Sequence, residues 1–133
     1  MLHRLSLIVT LLGLLVSPSA SAQMGPTTTV YTSGTEGYHT FRIPAILATP
    51  GHLLAFAEGR VTGGGDSGDI DLVLKRSTDG GDTWSDLSVV VHQKGYTCGN
   101  PAPVWDRDTG EVILLLTKNP ADAHEKRILT GED

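Results

Sequence analysis

"STDGGDTW", residues Ser77 to Trp84, sets two adjacent glycines, two aspartates and a tryptophan between two strand-like runs. The run before it is "IDLVLKRS" (Ile70 to Ser77), and the run after it is "WSDLSVVVH" (Trp84 to His92). A hairpin turn needs only two or three residues of this kind. The surplus predicts a stapled corner. Asp79 can accept backbone N–H groups within the turn, as Asx-turns do. Gly81 can take a positive φ that side chains resist. Ser77 and Thr83 can tie the ends, and Trp84 supplies a large apolar plug beside them. The aspartates of this stretch therefore read as structural, not catalytic.

Outward from the corner the chain reads as short strands and turns. "TVYTS" (Thr29 to Ser33) is β-branched and reads as a strand. "FRIPAILAT" (Phe41 to Thr49) is a second, with Pro44 marking an edge or a bulge. Pro50-Gly51 is a turn signal before "HLLAFAEGR" (His52 to Arg60). "VTGGGDSGD" (Val61 to Asp69) is an open glycine-rich loop. Beyond the corner, "QKGYTCGN" (Gln93 to Asn100) reads as loop, while "PAPVWD" and "EVILLLTK" flank the turn "RDTG" (Arg107 to Gly110). No segment after the first 22 residues shows helical periodicity, and "HEKR" (His124 to Arg127) reads as a solvated charged stretch.

The prediction is an all-β fold with an internal repeat. "IPAILATPGHLLAF" (Ile43 to Phe56) and "NPAPVWDRDTGEVILLL" (Asn100 to Leu116) both run X-Pro-Ala, strand, glycine turn, apolar strand. Repeats of several strands at this period suggest the blades of a β-propeller, which needs four to eight blades of four strands. Only about the first two fit within 133 residues, so the chain reads as the N-terminal part of a larger propeller.

Residues 1–22, "MLHRLSLIVTLLGLLVSPSASA", have the layout of a secretory signal peptide: a short basic start, an apolar run and an Ala20-Ser21-Ala22 cleavage site. The apolar run is too short for a membrane anchor. Cleavage before Gln23 would leave residues 23–133 as the propeller part, secreted or periplasmic, with no membrane attachment. Arg4 leaves with the leader, which takes the formal charge from −5 to −6. That balance offers no electrostatic reason to bind nucleic acid, although local arginines can still set the field of a pocket. Cys98 is the only cysteine, so there is no disulfide framework, and it reads as a buried inert thiol. The histidines show no metal-ligand spacing, and no metal or cofactor is expected.

Taken alone, "FRIP" (Phe41 to Pro44) is an edge strand with one arginine, and Arg60 a solvated strand end. In sequence with "AFAEGR", the acidic glycine loop and "S-x-D-x-G-x-T-W", they resemble the exo-α-sialidases (neuraminidases, glycoside hydrolase family 33), whose Asp box the corner matches. The resemblance runs from about Val30 to the end. It implies a six-bladed β-propeller that cleaves terminal sialic acids from glycoconjugates by retaining hydrolysis. By the same resemblance Arg42 is the first of three arginines that grip the substrate carboxylate, a role suited to a planar, permanently charged fork. Arg60 matches an arginine of the pocket wall, with Glu58 placed to buffer it. Asp66 matches the general acid/base, with Asp69 and Asp71 as competing carboxylates; Asp71 starts a strand pattern and more naturally faces structure. Asn100 and Pro101 match the rim of the pocket. The nucleophilic tyrosine, its glutamate and the other two arginines fall later in the family's chains, and Tyr31, Tyr38 and Tyr96 do not match the nucleophile's motif. The partners expected are sialylated glycans. A non-catalytic sialoglycan-binding propeller is the other reading, since a lectin needs Arg42 but no proton donor.

Overall fold

The structure is a computed structural model, and it describes residues 25–132. The leader expected over residues 1–22 lies outside the described residues. Six strands carry the fold: β1 (Thr40–Thr49), β2 (His52–Arg60), β3 (Ile70–Ser77), β4 (Ser88–Val91), β5 (Tyr96–Asp106) and β6 (Glu111–Pro120), followed by a short helix α1 (Glu125–Thr130).

β1 to β4 form an antiparallel meander, each strand pairing the next. The Pro50-Gly51 turn closes the β1–β2 hairpin, with Thr49 opposite His52 and Gly51 at φ 79°. β2 is central, and its residues from Leu54 to Arg60 are all buried. Side chains alternate across it, so its two faces feed two cores. Ala57 joins Tyr38 and Val73 on one face, and Leu54 and Phe56 join Leu74 on the other. Leu72 and Val73 are fully buried, each worth about 1.5–3 kcal/mol relative to exposure, an upper bound for a compact unfolded state.

β5 and β6 form a second antiparallel hairpin. It joins the first sheet through a single parallel pair, Ile70 with Thr97, and Leu114 of β6 packs on the Leu54–Phe56–Leu74 core. The anticipated repeat is visible in the backbone. β1 and β5 both break register around an X-Pro pair, between Arg42 and Ala45 and between Gly99 and Ala102. The residue before each proline has a positive φ, 52° at Ile43 and 54° at Asn100. A proline cannot donate to the ladder, and a bulge takes up the lost bond.

The corner at Ser77 to Trp84 is stapled as its residues predicted. Asp79 accepts from the Thr83 N–H at 3.0 Å and 3.1 Å, from the Thr83 hydroxyl, and from Ser77 Oγ at 2.7 Å. Gly81 has φ 103° and donates its N–H to Ser77 Oγ, while Trp84 Nε1 donates to the Gly81 carbonyl at 3.1 Å. These bonds hold the Asp79 carboxyl well below the usual range, those from Thr83 most of all.

Three readings change. "TVYTS" is not a strand. Its Tyr31 is instead held as an anchor, donating its hydroxyl to the Ala55 carbonyl at 2.7 Å and stacking on Phe41 at 4.8 Å. "QKGYTCGN" is not all loop, because β5 begins at Tyr96, where it meets Pro120 of β6. "HEKR" is not merely solvated chain: α1 runs through it, stopped by Gly131 in the left-handed conformation at φ 75°.

Candidate active site

Strand register builds the site. Glu58 and Arg60 lie two apart on β2, so they share one face. Arg42 on β1 stands directly opposite Glu58. The loop that leaves β2 is closed at its base by the Val61 N–H donating to the Asp69 carbonyl at 3.1 Å and by Thr97 Oγ1 donating to the Gly68 carbonyl at 2.8 Å. Its glycines let the backbone fold back over the arginines. Arg60 Nη1 donates to the carbonyls of Gly64 and Gly65, both at 2.6 Å, and Arg42 Nη1 donates to Gly64 at 3.1 Å.

This fold-back carries Asp66 to both arginines. Its Oδ1 lies 2.9 Å from Arg42 Nη1 and 2.9 Å from Arg60 Nη2. The three residues singled out in the sequence therefore meet at one oxygen. Their exposures differ in a useful way: Asp66 and Arg42 side chains are 80% and 45% exposed, whereas Arg60 is at 3%. Arg60 is a buried, fixed cation, and Arg42 and Asp66 are open to a ligand. The reading of Arg60 as a solvated strand end is excluded.

The electrostatics follow from this pairing. The hydrogen bond from Arg60, with the positive charges of Arg42 and Arg60, holds the Asp66 carboxyl below the ordinary aspartate value. Burial opposes the charge of Arg60, but bonds to Glu58 and Asp66 outweigh it and leave the guanidinium above its ordinary value. Glu58 Oε2 accepts from Arg60 Nε at 3.1 Å and Nη2 at 2.6 Å.

Asp66 stands between two hollows. One, about 410 Å³, is lined by Arg42, Ile43, Glu58, Arg60 and Asn100. The other, about 600 Å³, is lined by Ser67, Thr117, Asn119, Glu125 and Leu129. Asp66, Asn100 and Glu125 line both. α1, unforeseen in the sequence, thus forms a wall beside the candidate acid.

The competing aspartates lie elsewhere. Asp71 is buried, accepting from the Tyr38 hydroxyl at 2.8 Å and bonding His92 Nδ1 at 2.7 Å. The Tyr38 ring passes Gly59 so closely that a Cβ there would fall 2.7 Å from it. Asp71 therefore supports structure, as its place at a strand start suggested. His92 is bound to Asp71, which raises its pKa. Asp69, Asp71 and His92 bring donor atoms within 4.8 Å of one another, a grouping their sequence spacing gave no reason to expect. Cys98 is buried, and burial pushes its thiol pKa up. Tyr31 and Tyr38 hydroxyls are both committed to hydrogen bonds and raised by burial above the phenol range.

A β-sheet meander with an Asp-box corner and an arginine–aspartate cleft defines a sialidase-like propeller segment, and comparison with known proteins agrees. The chain is 46% identical to the exo-alpha-sialidase of Arthroderma benhamiae over 90 residues, which is 62% of this chain and 22% of that protein. It is 40% identical to the sialidase of Micromonospora viridifaciens over 88 residues, 61% of this chain and 13% of that one. No family model matches. Among solved structures, Hadza microbial sialidase Hz136 superposes with a TM-score of 0.62 at 24% identity, covering 68% of this chain and 20% of the other. That likeness establishes the fold. The chain is thus similar in sequence to sialidases, and it spans about a fifth of the length of the exo-alpha-sialidases of Arthroderma benhamiae and Aspergillus fumigatus that it matches.

Proposed function

We propose that the chain is part of an exported exo-α-sialidase that hydrolyses terminal sialic acids from glycoconjugates by a retaining mechanism. The observation that carries this reading is the convergence of Arg42, Arg60 and Asp66 on one open cleft. In the reaction, the substrate carboxylate takes the exposed guanidinium of Arg42. Asp66 then loses a cationic partner and gains an anionic neighbour, and both changes raise its pKa. Substrate binding itself thus converts Asp66 from a carboxylate into an acid able to protonate the glycosidic oxygen. The sugar lies on the Arg42 side of Asp66 and the leaving group on the α1 side.

The nucleophile and the remaining carboxylate-binding arginines come from further blades of the full-length protein. The buried, hydrogen-bonded Tyr31 and Tyr38 are unsuited to the nucleophile's role. In the family this residue is a tyrosine, which spares the anionic substrate a second carboxylate.

The second reading is a sialoglycan-binding propeller. It is favoured by the ionised, doubly paired state of Asp66 in the free protein. Release of fluorophore from a sialic acid α-glycoside by the full-length polypeptide separates the two. Turnover, with Asp66→Asn lowering it by about 10²–10⁴-fold on an unactivated sialoside, supports the enzyme. A folded protein that binds sialosides without turnover overturns it in favour of the lectin.

A further inference from the structure

Glu58 is a buried carboxylate that the proposed reaction does not use. Its side chain is 4% exposed, and its two oxygens face different parts of the molecule. Oε2 holds Arg60 through Nε and Nη2, as described above. Oε1 accepts the backbone N–H of Asn100 at 2.9 Å, across 42 residues of sequence. Asn100 is the positive-φ residue of the β5 bulge. The residue before it is Gly99, where any Cβ would run into Glu58 Oε1. Asn100 is tied down a second time by its side chain, which donates to Thr117 Oγ1 at 2.8 Å.

Arg60 Nη2 serves both Glu58 Oε2 and Asp66 Oδ1. The two carboxylates therefore share one guanidinium nitrogen. A second negative charge at that distance makes ionisation of Asp66 harder than two arginines alone would. The charged groups that face Asp66 are Arg42 from β1, Glu58 and Arg60 from β2, and His124 and Glu125 where α1 begins.

We infer that Glu58 is the positioning residue of this site: it fixes Arg60 against Asp66, ties the Gly99–Asn100 bulge of the second hairpin to the first sheet, and supplies the negative charge that balances the arginines around Asp66. The inference rests on the reading of Asp66 as the acid/base, but its geometry and charge effect can be measured without turnover.

The test uses the full-length polypeptide with Asp carboxyl carbons labelled for NMR. In the parent, the Asn100 amide exchanges slowly with solvent; rapid exchange overturns the clamp. Glu58→Gln keeps the shape and an acceptor for Asn100 but removes the charge. Its Asp66 titration moves to lower pH, and the alkaline limb of kcat, which reports the substrate complex, moves the same way. kcat falls by about tenfold to a hundredfold, as a misplaced catalytic group would cause, with KM changed less. A folded Glu58→Gln protein with an unmoved Asp66 titration contradicts the inference. Gly99→Ala is the second variant, displacing the carboxylate while keeping its charge. It removes Asn100 amide protection and lowers kcat, and retention of both in the folded variant also overturns the clamp. Absence of turnover in the parent would sink the sialidase reading, yet the Asp66 titration and the Asn100 exchange would still decide the role of Glu58.

Discussion

The two repeats begin alike and end differently. β1 and β5 share the X-Pro-Ala bulge and the positive φ before its proline, and each is followed by a hairpin partner. In the first unit β3 covers the far side of β2, and the residues from Leu54 to Arg60 are buried. In the second unit β6 has no third strand among the described residues, and Ile113 and Leu115 stand 50% and 59% exposed. The same local signal thus yields a core in one place and an open apolar face in the other. Burial here is decided by the next strand in the sheet, not by the hairpin's own sequence.

The largest expected stability effect probes that contrast. Leu72→Ala in the full-length protein is expected to cost about 2–5 kcal/mol, the range for emptying a buried leucine site. Leu115→Ala should cost more than about 1 kcal/mol there, because the further strands proposed above would cover its face. Denaturant unfolding measures both. A Leu115→Ala cost within about 0.5 kcal/mol, the range of ordinary surface changes, would show that the face stays open in the whole protein.

The hairpin corners offer a milder comparison. Asp79 and Asp106 both accept from a nearby threonine and from backbone N–H groups, and both are held below the usual carboxyl range by those bonds. A carboxylate with a depressed folded pKa stabilises the protein above its unfolded value, about 3.9, and loses that contribution as pH falls through the folded one. Asp79→Asn should therefore lower Tm at pH 7 by several degrees, and by less at pH 3. Asp106→Asn should do so more weakly, because only Asp79 is bonded by a second hydroxyl, that of Ser77. Neither should alter catalysis, since the Asp box lies at the opposite end of β3 from Asp66, and Asp106 at the far end of β5 from the Asn100 bulge, each roughly 20 Å away at strand spacing. Equal thermal scans for parent and Asp79→Asn at pH 7 would deny the staple its stabilising role.

The smallest effect concerns the paired bulges. Ile43 and Asn100 share nearly the same positive φ, but a β-branched residue resists it more than asparagine does. Ile43→Asn should raise stability by less than about 1 kcal/mol. A clear loss would mean that Ile43, although 37% exposed, packs better than its backbone suggests.

These contrasts explain what was legible in the sequence. The Asp-box corner could be read in detail because its bonds span few residues and each needs one residue type. The bulge at Pro44 was readable because proline lacks a donor. Arg42, Arg60 and Asp66 could be picked out only through family resemblance, since nothing local says that a glycine loop folds back onto two arginines. The Glu58–Asn100 bond was beyond reach, because it depends on how one bulge meets another strand. "TVYTS" was misread because β propensity describes a side chain's fit to a sheet, and no strand among the described residues receives it. α1 was missed because a six-residue helix is shorter than the windows in which helical periodicity can be read.

The central proposal is that Asp66, paired with two arginines in the free protein, becomes the proton donor once substrate takes Arg42. The most direct measurement compares kcat/KM for an activated aryl sialoside and an alkyl sialoside, in the full-length parent and in Asp66→Asn. A good leaving group departs without help, and a poor one needs the proton. The account expects Asp66→Asn to lose far more activity on the alkyl substrate than on the aryl one. Equal losses on both would contradict it, and would leave Asp66 only an electrostatic part beside Arg42 and Arg60.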